Sequence, residues 1–280
     1  MAEITAALVA KLRGMTGAGM MECKKALSEA NGDVNAAVDV LRKAGTFTAG
    51  KIAAREAREG LITQYIAPGG RTGVLVEVNC QTDFVARNDM FRAFADDVAR
   101  KLAADPKANL DAEREAMVGK IRENIKIPRH EQMEVTGNGI VAAYIHTGAK
   151  VGVLVEVGAG KESTIANDEY KQLVKDITLQ IAAGHPYAVS REQVPADVLA
   201  KEKEIAAEQF KNKPPQAIAK IVEGKLEKFY QTYCLVDQGF VKKNSEISVK
   251  EHMASVAKQL GDEITIRRFV RFQIGETTEA

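Results

Sequence analysis

At 280 residues, 45% hydrophobic and 28% charged, the chain has the composition of a globular protein, long enough to bury one large or two modest cores without staples. Its 39 basic residues nearly balance 38 acidic ones, and a formal charge of +1 gives no global field to hold a polyanion, which disfavours nucleic acid as the main partner. The three cysteines, Cys23, Cys80 and Cys234, are far apart and fit neither a disulfide framework nor a zinc site. With no basic-then-apolar leader after Met1 and no apolar run of about 18 residues, the expected setting is the reducing cytoplasm, without a membrane span.

In chain order, residues 5–13, 19–30 and 34–43 read as three short helices. Thr16-Gly17-Ala18-Gly19 breaks the first junction, Asn31-Gly32 ends the second helix, and Asp33 caps the third. A bundle of this size is marginal alone and suits a docking module. Met20 and Met21 open the second helix, where methionine serves either as adaptable contact surface or as core filler. Residues 46–59 are rich in alanine and charge and read as a linker with helical potential at its end.

The apolar run Val74-Leu75-Val76-Glu77-Val78 reads as a buried strand. A helix follows, with Phe91, Phe94, Ala95, Val98 and Leu102 on one face. Between them lies Asn79-Cys80-Gln81-Thr82-Asp83-Phe84-Val85-Ala86-Arg87, where a carboxylate and a large apolar ring share one connection. Either Phe84 folds back as a core plug while Asp83 caps a turn, or the ring is an exposed probe.

An internal repeat begins here. Shifted by 79 positions, residues 60–104 align without a gap on residues 139–183: Gly73-Val74-Leu75-Val76-Glu77-Val78 falls on Gly152-Val153-Leu154-Val155-Glu156-Val157, and Asn88-Asp89 on Asn167-Asp168. The helical stripe maps onto Tyr170, Leu173, Val174, Ile177 and Ile181. Each copy is a β-hairpin followed by a helix capped by Asn or Asp. Residues 121–129 then match 260–268 at a shift of 139, so the second copy carries about 60 extra residues, the difference of the two shifts. The insert reads as helices over 195–211 and 216–233, broken by Asn212-Lys213-Pro214-Pro215 into an antiparallel pair. Ser248-Val249-Lys250-Glu251 is a capping box that starts the last helix, and residues 263–274 form the closing strand.

Differences between the copies point to function. Lys161-Glu162-Ser163 stands opposite Thr82-Asp83-Phe84, so the scaffold closes without a ring there, which favours the probe. The turn His146-Thr147-Gly148 stands opposite Ala67-Pro68-Gly69. A lone turn histidine is ordinarily just solvated.

No enzyme signal survives inspection. Gly158-Ala159-Gly160-Lys161 lacks the first glycine and the final hydroxyl of a phosphate loop, which Val155 and Glu162 replace. His130, His146, His185 and His252 have no metal-ligand spacing, and Cys80 lies well before the Asn88-Asp89 helix cap that would activate it. Neither a catalytic group, a cofactor nor a metal is expected. Two classes remain: a protein that regulates another protein by contact, and an RNA-binding scaffold using Arg267, Arg268, Arg271 and the hairpin lysines.

Two stretches decide between them by resemblance. Asn79-Cys80-Gln81-Thr82-Asp83-Phe84-Val85-Ala86 and Leu12-Arg13-Gly14-Met15-Thr16-Gly17-Ala18-Gly19-Met20-Met21-Glu22-Cys23-Lys24-Lys25-Ala26-Leu27 resemble the two signatures of the elongation factor Ts family, and similarity runs on to Phe269-Val270-Arg271-Phe272. The resemblance implies an α+β fold. It divides into a UBA-like three-helix domain with linker (1–54), a first sheet-and-helix subdomain (55–137) and a second (138–280). The second holds a coiled-coil hairpin at about 186–235 and a final helix and strand at 248–274.

The implied function is guanine nucleotide exchange on the GTPase elongation factor Tu. Thr82, Asp83, Phe84 and Val85 would disturb its magnesium site, with further contacts from Arg13, Met20, Met21, Ile121 and His146. Whether the factor is a homodimer or pairs two-to-two with its partner stays open. Three departures from the family pattern bear on this. Arg122 replaces a usual Gly, Met15 a usual polar residue, and Gly239 a usual Pro, which predicts a looser loop at Asp237-Gln238-Gly239-Phe240-Val241.

Overall fold

The computed structural model describes residues 4–44, 52 and 55–276. The expected linker and the C-terminal tail lie mostly outside the described residues. Helix α1 (Ala6–Thr16) starts at Thr5, whose hydroxyl accepts from the Leu8 amide, and ends at Gly17, left-handed at φ 67°. Helix α2 (Met20–Glu29) opens with Glu22 reaching back to the Gly19 amide at 2.8 Å. Helix α3 (Val34–Lys43) is capped by Asp33, whose carboxylate accepts from the amides of Asn35 and Ala36. Leu12, Cys23, Ala26, Leu27, Ala37 and Leu41 fill the small core between them.

Strands β1 (Glu59–Ile66), β2 (Thr72–Cys80) and β3 (Lys126–Glu134) form one antiparallel sheet in that order. Strands β4 (Gly139–Ile145), β5 (Val151–Ala159) and β6 (Ile264–Gln273) form a second. Ile66 lies opposite Gly73 as Ile145 lies opposite Gly152, and Glu77 faces Arg129 as Glu156 faces Arg268. Both shifts read from the sequence are therefore shifts of register in space.

After β2 come a single turn α4 (Asp83–Ala86) and then helices α5 (Asp89–Ala104) and α6 (Asp111–Ile121). After β5 come α7 (Glu162–Ile165) and α8 (Asp168–Gly184). The hairpin helices α9 (Ala196–Gln209) and α10 (Pro215–Tyr233) follow, and then α11 (Val249–Leu260), which Ser248 and Glu251 close with the expected capping box. The sequence pattern missed α4, α7 and α6. The first two are shorter than any periodicity can register. Along α6 only Val118 is fully buried, so there was no apolar stripe to see.

Alternation along the central strands builds three layers. Val74, Val76 and Val78 face α5, and Val153, Val155 and Val157 face α8. Ile52, from the expected linker, is buried in the first of these cores. The opposite faces pack on each other through Ile62, Leu75, Met133, Val141, Leu154 and Phe272. Gly73 and Gly152 let the sheets close: a Cβ on Gly73 would stand 3.0 Å from Leu154 Cδ1, and one on Gly152 would stand 3.0 Å from Leu75 Cδ1.

Several cross-sheet contacts have partners under the repeat. The Ile62 amide donates to Ala149 O at 2.7 Å and the Val141 amide to Gly70 O at 2.7 Å. The buried carboxylates Glu77 and Glu156 hold Arg129 and Arg268. These guanidiniums reach across to Gln273 O at 3.0 Å and Glu134 O at 2.9 Å. The two halves thus relate by a pseudo-two-fold axis between the sheets.

The hairpin turns at Pro214-Pro215 as expected. Its base is fixed by Arg191, which grips Glu227 and Asp237 and lies 4.6 Å from the Tyr230 ring centroid. Gly239 does not loosen its loop. It bridges to Ser248 and accepts from Gln180 Nε2, and Ser245 Cβ fills the space 2.6 Å from where a Cβ would sit.

Candidate functional site

The connection after β2 is built from below by one carboxylate. Glu123, just past the end of α6, accepts from the amides of Gln81 and Thr82 at 3.0 Å each and from the Thr82 hydroxyl at 2.7 Å. Thr82 in turn caps α4 by accepting from the Val85 amide, and Val85 packs against the first core. Thr82 and Val85 are therefore anchors. Asp83 and Phe84 project.

Phe84 is 80% exposed, the most exposed of the large apolar side chains described. The core-plug alternative is overturned, and so is Asp83 as a cap, because Thr82 holds that position. Asp83 pairs instead with Arg87, four residues on, at 3.0 Å.

The second copy repeats the support without the probe. Asp262 takes the place of Glu123, accepting from the Lys161 amide at 2.9 Å and the Thr164 hydroxyl at 2.6 Å, and α7 forms with an exposed Ser163. The carboxylate tether suffices for closure, so the ring of Phe84 answers no need of the fold.

Met20 and Met21, 58% and 77% exposed on the first turn of α2, are surface and not filler. Arg13 is exposed near the end of α1. The bundle meets the first sheet unit where α1 touches α6: Gly119 lies so close that a Cβ there would stand 3.1 Å from Met15 O. Contacts thus run from Met15 on α1 to α6, and from Glu123 just beyond α6 to Thr82 below the Phe84 turn.

Ile121, at the end of that path, is half-buried against the first core. Arg122 ends α6 in the left-handed conformation at φ 64°, where the second copy has Gly261 at φ 59°. His146 is brought to a different part of the surface, the β4–β5 turn. There its Nδ1 lies 3.0 Å from the Tyr144 hydroxyl, and it rims a cleft of about 520 Å³ with Arg92, Asp96 and Arg100.

No chemistry gathers here. Burial, followed by the charge of Glu123, pushes the Cys80 thiol up to about 12, the reverse of a reactive thiolate. In Gly158-Ala159-Gly160-Lys161 the amides of Ala159, Gly160 and Lys161 already donate to Asn138 O, Glu263 O and Asp262, leaving none of the three to wrap a phosphate. Among the described residues no cluster of His, Cys, Asp or Glu could hold a metal, and no helix is long and apolar enough to cross a membrane. The arginines of the RNA alternative are engaged within the protein. Arg267 and Arg268 bind Glu156, and Arg271 binds Glu276 and Gln273.

Comparison with known proteins agrees with this geometry. The family model for Elongation factor TS matches residues 81–276. Elongation factor Ts of Symbiobacterium thermophilum is 45% identical over 288 residues, covering 100% of this chain and 94% of that protein. The Nostoc sp. protein of the same name is 42% identical over 297 residues, covering 100% and 95%. That of Bdellovibrio bacteriovorus is 43% identical over 293 residues, covering 99% and 94%.

Proposed function

The chain belongs to the elongation factor Ts family, and on that premise we propose that it is the guanine nucleotide exchange factor of the GTPase elongation factor Tu. One observation carries the proposal: a large apolar ring held in solvent by a tethered turn that the repeat closes without any ring. An exposed aromatic on a rigid element is an interface anchor in waiting, because its burial against a partner is driven by the area it removes from water.

The thermodynamics constrain how such an anchor acts. GTPases hold nucleotide through backbone amides and a magnesium ion on the phosphates, and nanomolar holding is worth roughly 12 kcal/mol. The factor does not extract the nucleotide. It binds the empty GTPase more tightly, and by linkage nucleotide weakens the factor's binding by the factor through which it is itself weakened. In this mechanism Phe84 enters the GTPase domain beside the magnesium site, and Asp83 secures the contact by exchanging Arg87 for a partner group. Arg13, Met20 and Met21 grip the same domain, and His146 holds a second domain as a fulcrum. The sheet interface supports a lever of this kind, since Arg129 and Arg268, each held by a glutamate of its own sheet, donate across to Gln273 O and Glu134 O and so tie the Phe84 half to the His146 half.

The test is release of labelled GDP from purified elongation factor Tu, with and without the protein. Acceleration at sub-stoichiometric factor is the expected result. Unchanged release, or affinity for RNA that collapses steeply with salt, would return the scaffold reading.

A further inference from the structure

We propose that Met90 is a second partner-contact residue beside Phe84, an apolar shelf that enters the same surface of the GTPase; this rests on the exchange function proposed above. Met90 lies in the first turn of α5, six residues beyond Phe84, and is 51% exposed. That position has a local preference. The amides of a helix's first turn carry partial positive charge, which favours an acidic side chain and gives an exposed thioether nothing.

The repeat shows what the scaffold selects when only folding matters. Across Asn88-Asp89-Met90-Phe91 and Asn167-Asp168-Glu169-Tyr170, the cap, the aspartate and the buried aromatic are kept, and the methionine alone stands against glutamate. Asn88 and Asn167 both cap their helices, so the backbone of the two turns is alike. Phe84 and Met90 are thus exposed apolar residues whose counterparts, Ser163 and Glu169, are exposed and polar. A local rule broken without any gain in packing marks a residue retained for something outside the fold.

The occupant follows from continuity. Phe84 and Met90 sit on consecutive elements joined through Arg87 and Asn88, and both side chains are exposed. A partner surface that buries the 80% exposed ring of Phe84 meets next along the chain the exposed thioether six residues on. Methionine's flexibility adapts such a contact where a rigid side chain would clash.

The experiment installs the second copy's residue. Met90→Glu should leave the melting temperature unchanged or slightly raised, while the concentration of factor needed for half-maximal GDP release rises about tenfold. Glu169→Met is the control and should leave exchange unchanged. In a double-mutant cycle, Phe84→Ala and Met90→Ala should be non-additive, as expected for neighbours that share one partner pocket. Full activity of Met90→Glu, or strict additivity, overturns the inference while leaving the exchange function intact. Absence of stimulated release by the unmutated protein would instead overturn the function on which it rests.

Discussion

Phe84 and Arg122 both break a local rule, for opposite reasons. If Phe84 were a core residue, Phe84→Ala would cost about 3–5 kcal/mol. At 80% exposure the expected change is within about 0.5 kcal/mol, while stimulated GDP release should fall about thirtyfold, as for loss of a 2 kcal/mol interface anchor. A melting curve paired with stopped-flow exchange measures both, and a large drop in melting temperature with exchange preserved would refute the anchor. Arg122 carries strain with no such return. Its left-handed φ of 64° is the glycine conformation at a helix end, which the second copy fills with Gly261. Arg122→Gly should therefore stabilise the protein by about 1 kcal/mol, read as a shift in denaturant midpoint at unchanged slope. A lower midpoint would mean that the arginine side chain contributes more than its backbone costs.

Among the elements, the central strands carry the buried charge. Glu156 on β5 is deeply buried. Burial raises its pKa, but hydrogen bonds from Arg267, the Thr136 amide and Arg268 outweigh this and hold the carboxyl below its ordinary value of 4.5. A group whose folded pKa is depressed contributes stability that is fully present above the unfolded value and is lost as pH falls through the folded one. The wild-type protein should thus lose stability as pH falls below about 4.5. Glu156→Gln should be less stable at neutral pH, by about 1 kcal/mol because the arginines left behind are partly solvated, and should show a shallower acid fall. Parallel pH slopes for the two proteins would remove Glu156 from the account. The hairpin helices show what governs the other extreme. Ala206 is the one residue buried across α9 and α10, so their antiparallel pairing is set by the Pro214-Pro215 turn and the Arg191 clamp more than by a core.

At the scale of the whole molecule, the three-helix bundle and the paired sheets have separate cores and meet where α1 touches α6. Removing residues 1–44 keeps Ile52 in the first core. The truncated chain should retain its sheet signal and a single cooperative melt while losing affinity for the GTPase. Circular dichroism showing an unfolded chain would sink the idea that the bundle is a docking element.

How much of this was legible in the sequence depends on the range over which each determinant acts. The caps at Asp33 and Ser248, the Pro-Pro turn and the apolar runs of the central strands are local, and the sequence by itself placed them. The repeat was also legible, since two copies of one pattern betray each other without any knowledge of space, and it ruled against a structural need for Phe84. Three things belonged to the tertiary structure alone. That the two sheets stack face to face depends on Gly73 and Gly152 meeting Leu154 and Leu75 across a gap that no single strand encodes. That Thr82 and Val85 anchor while Asp83 and Phe84 project depends on Glu123, some 40 residues away in sequence and within 3.0 Å in space. That Arg267 and Arg268 are spent within the protein depends on Glu156, more than 100 residues away in sequence, lying opposite them. A sequence pattern reports which face of an element is apolar, because burial acts on each element separately. Which faces and charges meet is fixed only when the elements pack, and there the exposure of Phe84, the partial burial of Ile121 and the pairing of the arginines were decided.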